Sequence, residues 1–320
     1  MSNFASGYIK YINHLEQIND GAVTDPARMV EEVEGAYRES LRNVARNISE
    51  RKKRARIVML SGPSSSGKTT TAHLLRDYLD GFGIKAVIIS LDDFYLGRDR
   101  TPRLPDGSFD FETVEALDAE KVNQCLSSVI ATGRFSVPHY SFALGRPEGE
   151  DSHYAIGPED MVIVEGIHGL NPLFTRGLPE DMYVKLYVSV KQQIKDANGE
   201  VLSPMNLRLI RRIVRDIKFR GSSAEHTLSM WPQVVEGENR YIRPYRIWAD
   251  YTVNSIHIYE PCVLRTVAIP LLRAIEIDSL YYKKARDLES RLMRFEPVDQ
   301  GLVPEGSMLR EFLGPKVRES

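Results

Sequence analysis

Apolar positions recur every three or four residues over 26–50. Met29, Val30, Val33, Tyr37, Leu41, Val44 and Ile48 share one face there, which predicts an amphipathic helix. Thr24-Asp25-Pro26 supplies its start, an acidic cap followed by proline in the first turn. Beyond it the pattern changes to short unbroken apolar runs at 55–61 (ARIVMLS), 85–91 (KAVIISL), 161–164 and 182–190 (MYVKLYVSV), each reading as a buried strand. Helical segments lie between them, among them 69–80, closed by Gly81. Strands alternating with helices predict an α/β fold with a mostly parallel sheet covered on both faces. Residues 101–160, rich in Pro, Gly, Asp and aromatics, read as an insertion over the sheet edge. Residues 278–295 read as a late amphipathic helix, followed by a tail around 304–314. The chain thus divides into an N-terminal helical extension (1–54), a core (55–275) and a C-terminal helix and tail (276–320).

Composition narrows the classes. With 320 residues, 42% hydrophobic and 27% charged, 22 Gly and 17 Pro, the chain is neither disordered nor collagen-like. Lys+Arg of 42 against Asp+Glu of 44 leaves a net charge of −2, which argues against a general polyanion binder. The run Arg51-Lys52-Lys53-Arg54 reads as a solvated helix end that complements the dipole. Cys125 and Cys262 are too few for a disulfide framework or a Cys-rich zinc site. No signal-like start is evident, and no uncharged stretch approaches the roughly 18 residues of a membrane span. The expectation is a cytoplasmic protein without nucleic-acid or membrane partners. Periodicity leaves open whether the 26–50 helix packs on the core or mediates homo-oligomer assembly.

Gly62-Pro63-Ser64-Ser65-Ser66-Gly67-Lys68-Thr69 fits G-x-x-x-x-G-K-[ST] at every fixed position, with a strand entering and a helix leaving. This predicts a P-loop NTPase-type fold that holds ATP and Mg²⁺. Gly62 and Gly67 permit angles that turn successive N–H groups inward as an anion nest running into Thr70. Lys68 reaches toward the outer phosphates, and the Thr69 hydroxyl is a Mg²⁺ ligand. Such a loop serves kinases, ATPases, GTPases and switches alike. The absence of Asn-Lys-x-Asp weakens a guanine-specific GTPase. Glu165, at the end of 161–164, is placed at the sheet's C-terminal edge as an acid for Mg²⁺ or its water. Asp92 and Asp93 close another strand, where one acid can orient an acceptor hydroxyl and take its proton.

Residues 207–219 read as a helix carrying Arg208, Arg211, Arg212 and Arg215 within about 100° of one another. Leu209, Ile210, Ile213, Val214 and Ile217 take the other side. Only Asp216 lies near the stripe, so these forked donors suit polyphosphate. Arg220-Gly221 ends the helix and marks 207–222 as a candidate lid.

GPSSSGKTT, SLDDFY, FDFETVEALD, PHYSF, VIVEGIHGL and RLIRRIVRDIKFRG occur in the order seen in the uridine kinase/phosphoribulokinase-like family of P-loop kinases. Over about 55–275 the chain resembles that family, most of all the bacterial uridine kinase-like nucleoside kinases often fused behind a threonyl-tRNA-synthetase-like region. Its tail, 304–314, also resembles that subgroup's ending. The first 54 residues are too short for the synthetase-like region, and no RNA role carries over. The resemblance implies phosphoryl transfer from Mg·ATP to a nucleoside 5′-hydroxyl. It implies Asp92 rather than Asp93 as the base and Asp110 on ribose hydroxyls. Tyr95, Tyr140 and Phe142 would line the nucleoside pocket, with Arg146 nearby, and Arg212 and Arg215 would be lid arginines. Position 145 is Gly where better-known uridine–cytidine kinases carry His, and Ser222 stands where they carry Arg. The same chemistry on a phosphoribulose- or pantothenate-type alcohol, and a nucleotide-binding regulator without transfer, remain the alternatives.

Overall fold

The computed structural model describes residues 13–51 and 55–316. Lys52, Lys53 and Arg54 of the basic run lie outside these; Arg51 faces Asp250 at 3.5 Å. After α1 (Leu15–Thr24), α2 (Pro26–Ser49) begins where Asp25 caps it, its carboxylate accepting the Arg28 N–H at 3.1 Å. Then follow β1 (Ile57–Ser61), α3 (Lys68–Gly81), β2 (Ala86–Ser90), α4 (Ala119–Thr132), β3 (Met161–Glu165) and β4 (Tyr183–Ser189). The chain continues through α5 (Pro204–Arg220), α6 (Ala224–Gly237), β5 (Tyr251–Asn254), α7 (Glu260–Arg273) and α8 (Tyr282–Leu292). The five strands form one all-parallel sheet in the order β5-β4-β1-β3-β2.

Because side chains alternate along a strand, the central strand feeds two cores. Val58 and Leu60 face one that holds Leu41 of α2, Leu75 of α3, Ile210 of α5 and Leu264 of α7. Ile57 and Met59 face the other, with Val122, Leu126 and Val129 of α4. The segment 101–160 therefore contributes a helix that covers a sheet face, besides short ladders pairing 134–137 with 152–155 and 140–141 with 146–147. Helix α3 also differs in detail from the expectation. Gly81 is its last helical residue, and the left-handed turn falls at Gly83, φ +80°.

Both extensions belong to the first core. Leu41 and Ala45 of α2 are fully buried in it, as are Leu288 of α8 and Met308, Leu309 and Phe312 of the tail. No helix among the described residues is long and apolar enough to cross a membrane. Leu41→Ala should lower the unfolding free energy by about 2–5 kcal/mol while leaving a single transition in urea. A separate early transition would show α2 to be a detachable appendage.

Candidate active site

The phosphate-loop sequence sits between β1 and α3 at the C-terminal edge of the sheet, where ligands bind in open α/β folds. Its two glycines are required for different reasons. Gly67 is left-handed, φ +86°, and a Cβ there would lie 2.6 Å from Met308. Gly62 is not left-handed; a Cβ at Gly62 would lie 2.1 Å from the Val188 carbonyl, so close approach to β4 decides that residue. Ser65 is the one non-glycine residue with positive φ, +58°, among those described. The Ser65 and Ser66 hydroxyls are buried without a hydrogen-bond partner, which fits a cradle built for an incoming anion. Lys68 Nζ donates to the Pro63 carbonyl at 3.3 Å. Burial pushes its pKa down, against the pull of Glu165, Glu311 and Asp92.

A cleft of about 640 Å³ opens over this loop. Ser64, Ser65, Lys68 and Thr69 form its floor, with Asp92, Glu112, Glu165 and Glu311 as acids and Arg98, Arg212, Arg215 and Arg220 as further cations. Asp92 lies in the single 3-10 turn Leu91–Phe94 that follows β2. The Ser90 hydroxyl ties the two strand ends together: it accepts the Asp92 N–H at 3.3 Å and donates to Glu165 at 3.1 Å. Asp92 opens onto the cleft, and the surrounding walls still push its carboxyl upward, opposed by Lys68 and Arg220. Burial lifts Glu165 to about 7, with Lys68 opposing. Asp93 does not line the cleft and faces His139 at 3.6 Å.

At the other end of the cleft Tyr95, Phe111, Tyr140 and Phe142 cluster with their rings inclined to one another. The Tyr140–Phe142 centroids are 5.0 Å apart and the Tyr95–Tyr140 centroids 5.6 Å. The Tyr140 hydroxyl is buried without a partner, while Tyr95 donates to the Phe111 carbonyl at 2.9 Å. Two expected acceptor residues fall outside this wall. Asp110 does not line the cleft and accepts the Glu112 N–H at 3.0 Å, whereas Glu112 lines it. Burial pushes Glu112 up to about 7, with Arg212 opposing. Arg146 is exposed in a two-residue ladder opposite Ser141 and does not reach the cleft. The guanidinium at this end is Arg98, which occupies the space beside Gly145: a Cβ on Gly145, φ +66°, would lie 2.2 Å from Arg98 Nε.

The arginine stripe splits in two. Arg212 and Arg215 line the cleft, and both bind Asp216, with shortest contacts of 3.2 and 2.7 Å. Arg212 also donates to the Ser64 hydroxyl at 2.7 Å. Arg208 and Arg211 instead point into the fold, paired with Glu238 at 2.7 Å and Glu260 at 2.6 Å. The expectation that Asp216 was the stripe's only partner is corrected: Glu238 and Glu260 are distant in sequence and arrive through folding. The tail is a further component that the motifs did not reveal. Glu311 accepts from the Thr70 N–H at 3.4 Å and the Thr70 hydroxyl at 3.1 Å, at the first turn of α3. A larger groove of about 1010 Å³, near the start of β4 beside Trp248 and Lys185, contains none of the motif residues.

Residues 57–259 match the Phosphoribulokinase / Uridine kinase family. The chain belongs to that family. The matched stretch runs from β1 to the residue before α7. The chain is 28% identical over 198 residues to the uridine kinase of Bacillus pumilus (strain SAFR-032), covering 62% of this chain and 85% of that protein. It is 29% identical over 208 residues to the uridine kinase of Macrococcus caseolyticus (strain JCSC5402), covering 63% and 91%. Phosphoribulokinase from Rhodobacter spheroides is a structural neighbour at 22% identity and TM-score 0.41, covering 61% of this chain and 67% of that one. Family membership makes the protein a phosphotransferase, and ATP with Mg²⁺ is the family's general donor pair. Thr69 and Glu165 offer oxygens to a divalent cation in the same cleft. Among the described residues no cluster of three or more His, Cys, Asp or Glu could hold a metal. Two protein oxygens suit Mg²⁺, which keeps water and phosphate oxygens as its remaining ligands.

Glu112 gives the site a pH signature. Its folded-state pKa is raised to about 7 from 4.5, so the folded protein binds more protons than the unfolded chain between those values. That contribution to stability is complete below the unfolded value and is lost as pH rises through about 7. Glu112→Gln should raise the ligand-free Tm by about 2–4 °C at pH 8 and leave it unchanged at pH 4. An equal gain at both pH values would contradict this origin.

Proposed function

We propose that the protein is an ATP-dependent nucleoside kinase that transfers the γ-phosphoryl group to a nucleoside 5′-hydroxyl. The observation that carries this reading is the pairing, within one cleft, of the phosphate loop with an acid and an aromatic cluster. Asp92 lines this cleft together with Lys68, whose charge acts on its carboxyl, and with Tyr95, Tyr140 and Phe142. Planar faces suit a base, and the raised pKa of Asp92 suits a proton acceptor in a confined site. The curated relatives that the chain matches are uridine kinases, which agrees with a base-bearing acceptor.

Each residue then has a distinct task. Asp92 orients the acceptor hydroxyl and takes its proton. Lys68, Arg212 and Arg215, joined by Arg220, offset charge on the phosphoryl oxygens, while the backbone N–H groups of the phosphate loop that have no partner within the protein hold the rest of the triphosphate. Thr69 and Glu165 would hold Mg²⁺, which when bound would neutralise charge on the phosphate oxygens. Glu112, rather than Asp110, is the carboxylate placed to accept from sugar hydroxyls. Arg98 offers donors only, so a base edge that it meets presents an acceptor.

Asp92→Asn should lower turnover by about 10²–10⁴-fold with nucleotide affinity nearly unchanged, measured by ADP release and by titration with a nonhydrolysable ATP analogue. Unchanged turnover would remove Asp92 from the role. Tyr140→Ala should raise KM at least about tenfold for nucleosides, about the 1–3 kcal/mol that stacking one base contributes. Equal loss for a bare sugar phosphate would favour a phosphoribulose-type acceptor instead.

A further inference from the structure

Pro63 to Ser66 form a four-residue turn, in which the Ser66 N–H donates to the Pro63 carbonyl at 3.2 Å. Within it only Ser65 has positive φ, +58°. Positive φ at the third position alone marks a type II turn, which ordinarily takes Gly or Asn there. The peptides on either side of the Ser65 Cα are each gripped by a guanidinium from α5. Arg208 Nε donates to the Ser64 carbonyl at 2.9 Å, and Arg211 Nη1 donates to the Ser65 carbonyl at 3.2 Å.

In a trans peptide the C=O and N–H point in opposite directions. Anchoring the Ser64 carbonyl on Arg208 therefore turns the Ser65 N–H the other way. In a type I turn the central peptide is rotated by about half a turn, so a carbonyl would stand where the N–H now is. Both guanidiniums lie outside the cleft, at 4% and 0% exposure, and each is neutralised by its own carboxylate, Glu238 or Glu260. They are therefore not phosphate ligands, unlike their neighbours Arg212 and Arg215 on the same helix.

We infer that Arg208 and Arg211 are positioning residues for the phosphate cradle. Holding the Ser64 and Ser65 carbonyls from behind, they select the turn that presents the Ser65 N–H to an incoming phosphate. The inference rests on reading the loop as the triphosphate site.

The test compares wild type, Arg208→Lys and the double variant Arg208→Met/Glu238→Leu, which removes both buried charges together. Readouts are the Kd for ATP, the Kd for inorganic tripolyphosphate and the ligand-free Tm. The double variant should bind both ligands at least about tenfold more weakly with Tm within about 2 °C of wild type. Arg208→Lys keeps the charge on a single donating nitrogen but loses the fork, and should fall between them. Wild-type affinity in the double variant would overturn the inference, as would affinity losses that merely track Tm across the three proteins. Failure of wild type to bind either ligand would instead remove the triphosphate reading itself.

Discussion

Arg211 lies wholly out of solvent and joins four parts of the fold. It meets Glu260 at the start of α7 through two bonds of 2.6 and 2.7 Å. It also donates to the Ser255 carbonyl just past β5 at 2.7 Å and to the Ser65 carbonyl of the phosphate loop at 3.2 Å. A buried guanidinium is tolerable only when its donors are matched, and removing one partner of such a pair costs about 3–5 kcal/mol. The position of the loop is thus bound to the position of α5, α7 and the last strand. Phe312 of the tail lies against the same guanidinium, its ring centroid 5.2 Å away. From the opposite side the N-terminal extension reaches α3, where Tyr37 bonds Thr71 at 2.7 Å and Thr71 bonds the Gly67 carbonyl at 2.6 Å. Both extensions therefore support the phosphate loop, one through Thr71 and the other through Arg211.

This anchoring divides the arginine helix by function. Its buried arginines fix backbone, and Arg212, Arg215 and Arg220 are left to face the cleft. Asp216 pairs with all three, and Glu112 and Asp92 add negative charge near Arg212 and Arg220. Three acids, Asp92, Glu112 and Glu165, are all raised by burial in the same space. A cleft with both signs at close range suits a ligand that brings phosphate and a divalent cation together.

Much of this was legible in the chain. The parallel sheet follows from apolar runs buried on both faces, and the loop from its fixed residues and their strand–helix context. What escaped was set by long-range folding. Glu238 and Glu260 lie 30 and 49 residues from their arginines, so a helical projection of 207–219 shows four equivalent cations where the fold makes two kinds. Asp110 and Glu112 are two residues apart in a loop, and spacing alone does not tell that Glu112 lines the cleft while Asp110 accepts its N–H. Gly145 reads as a missing side chain, but Arg98 from another loop occupies the space. Glu311 comes from the far end of the chain, in a tail whose resemblance to the subgroup's ending gave it no role.

The central claim is that this cleft passes a phosphoryl group from ATP to the 5′-oxygen of a base-bearing acceptor. The most direct measurement is ³¹P NMR of Mg·ATP incubated with the protein and uridine, cytidine, inosine, guanosine, ribulose 5-phosphate or pantothenate in turn. The account predicts a 5′-monophosphate resonance with at least one nucleoside, growing in step with ADP. Inorganic phosphate alone, or a product only with an acceptor that lacks a base, would contradict it.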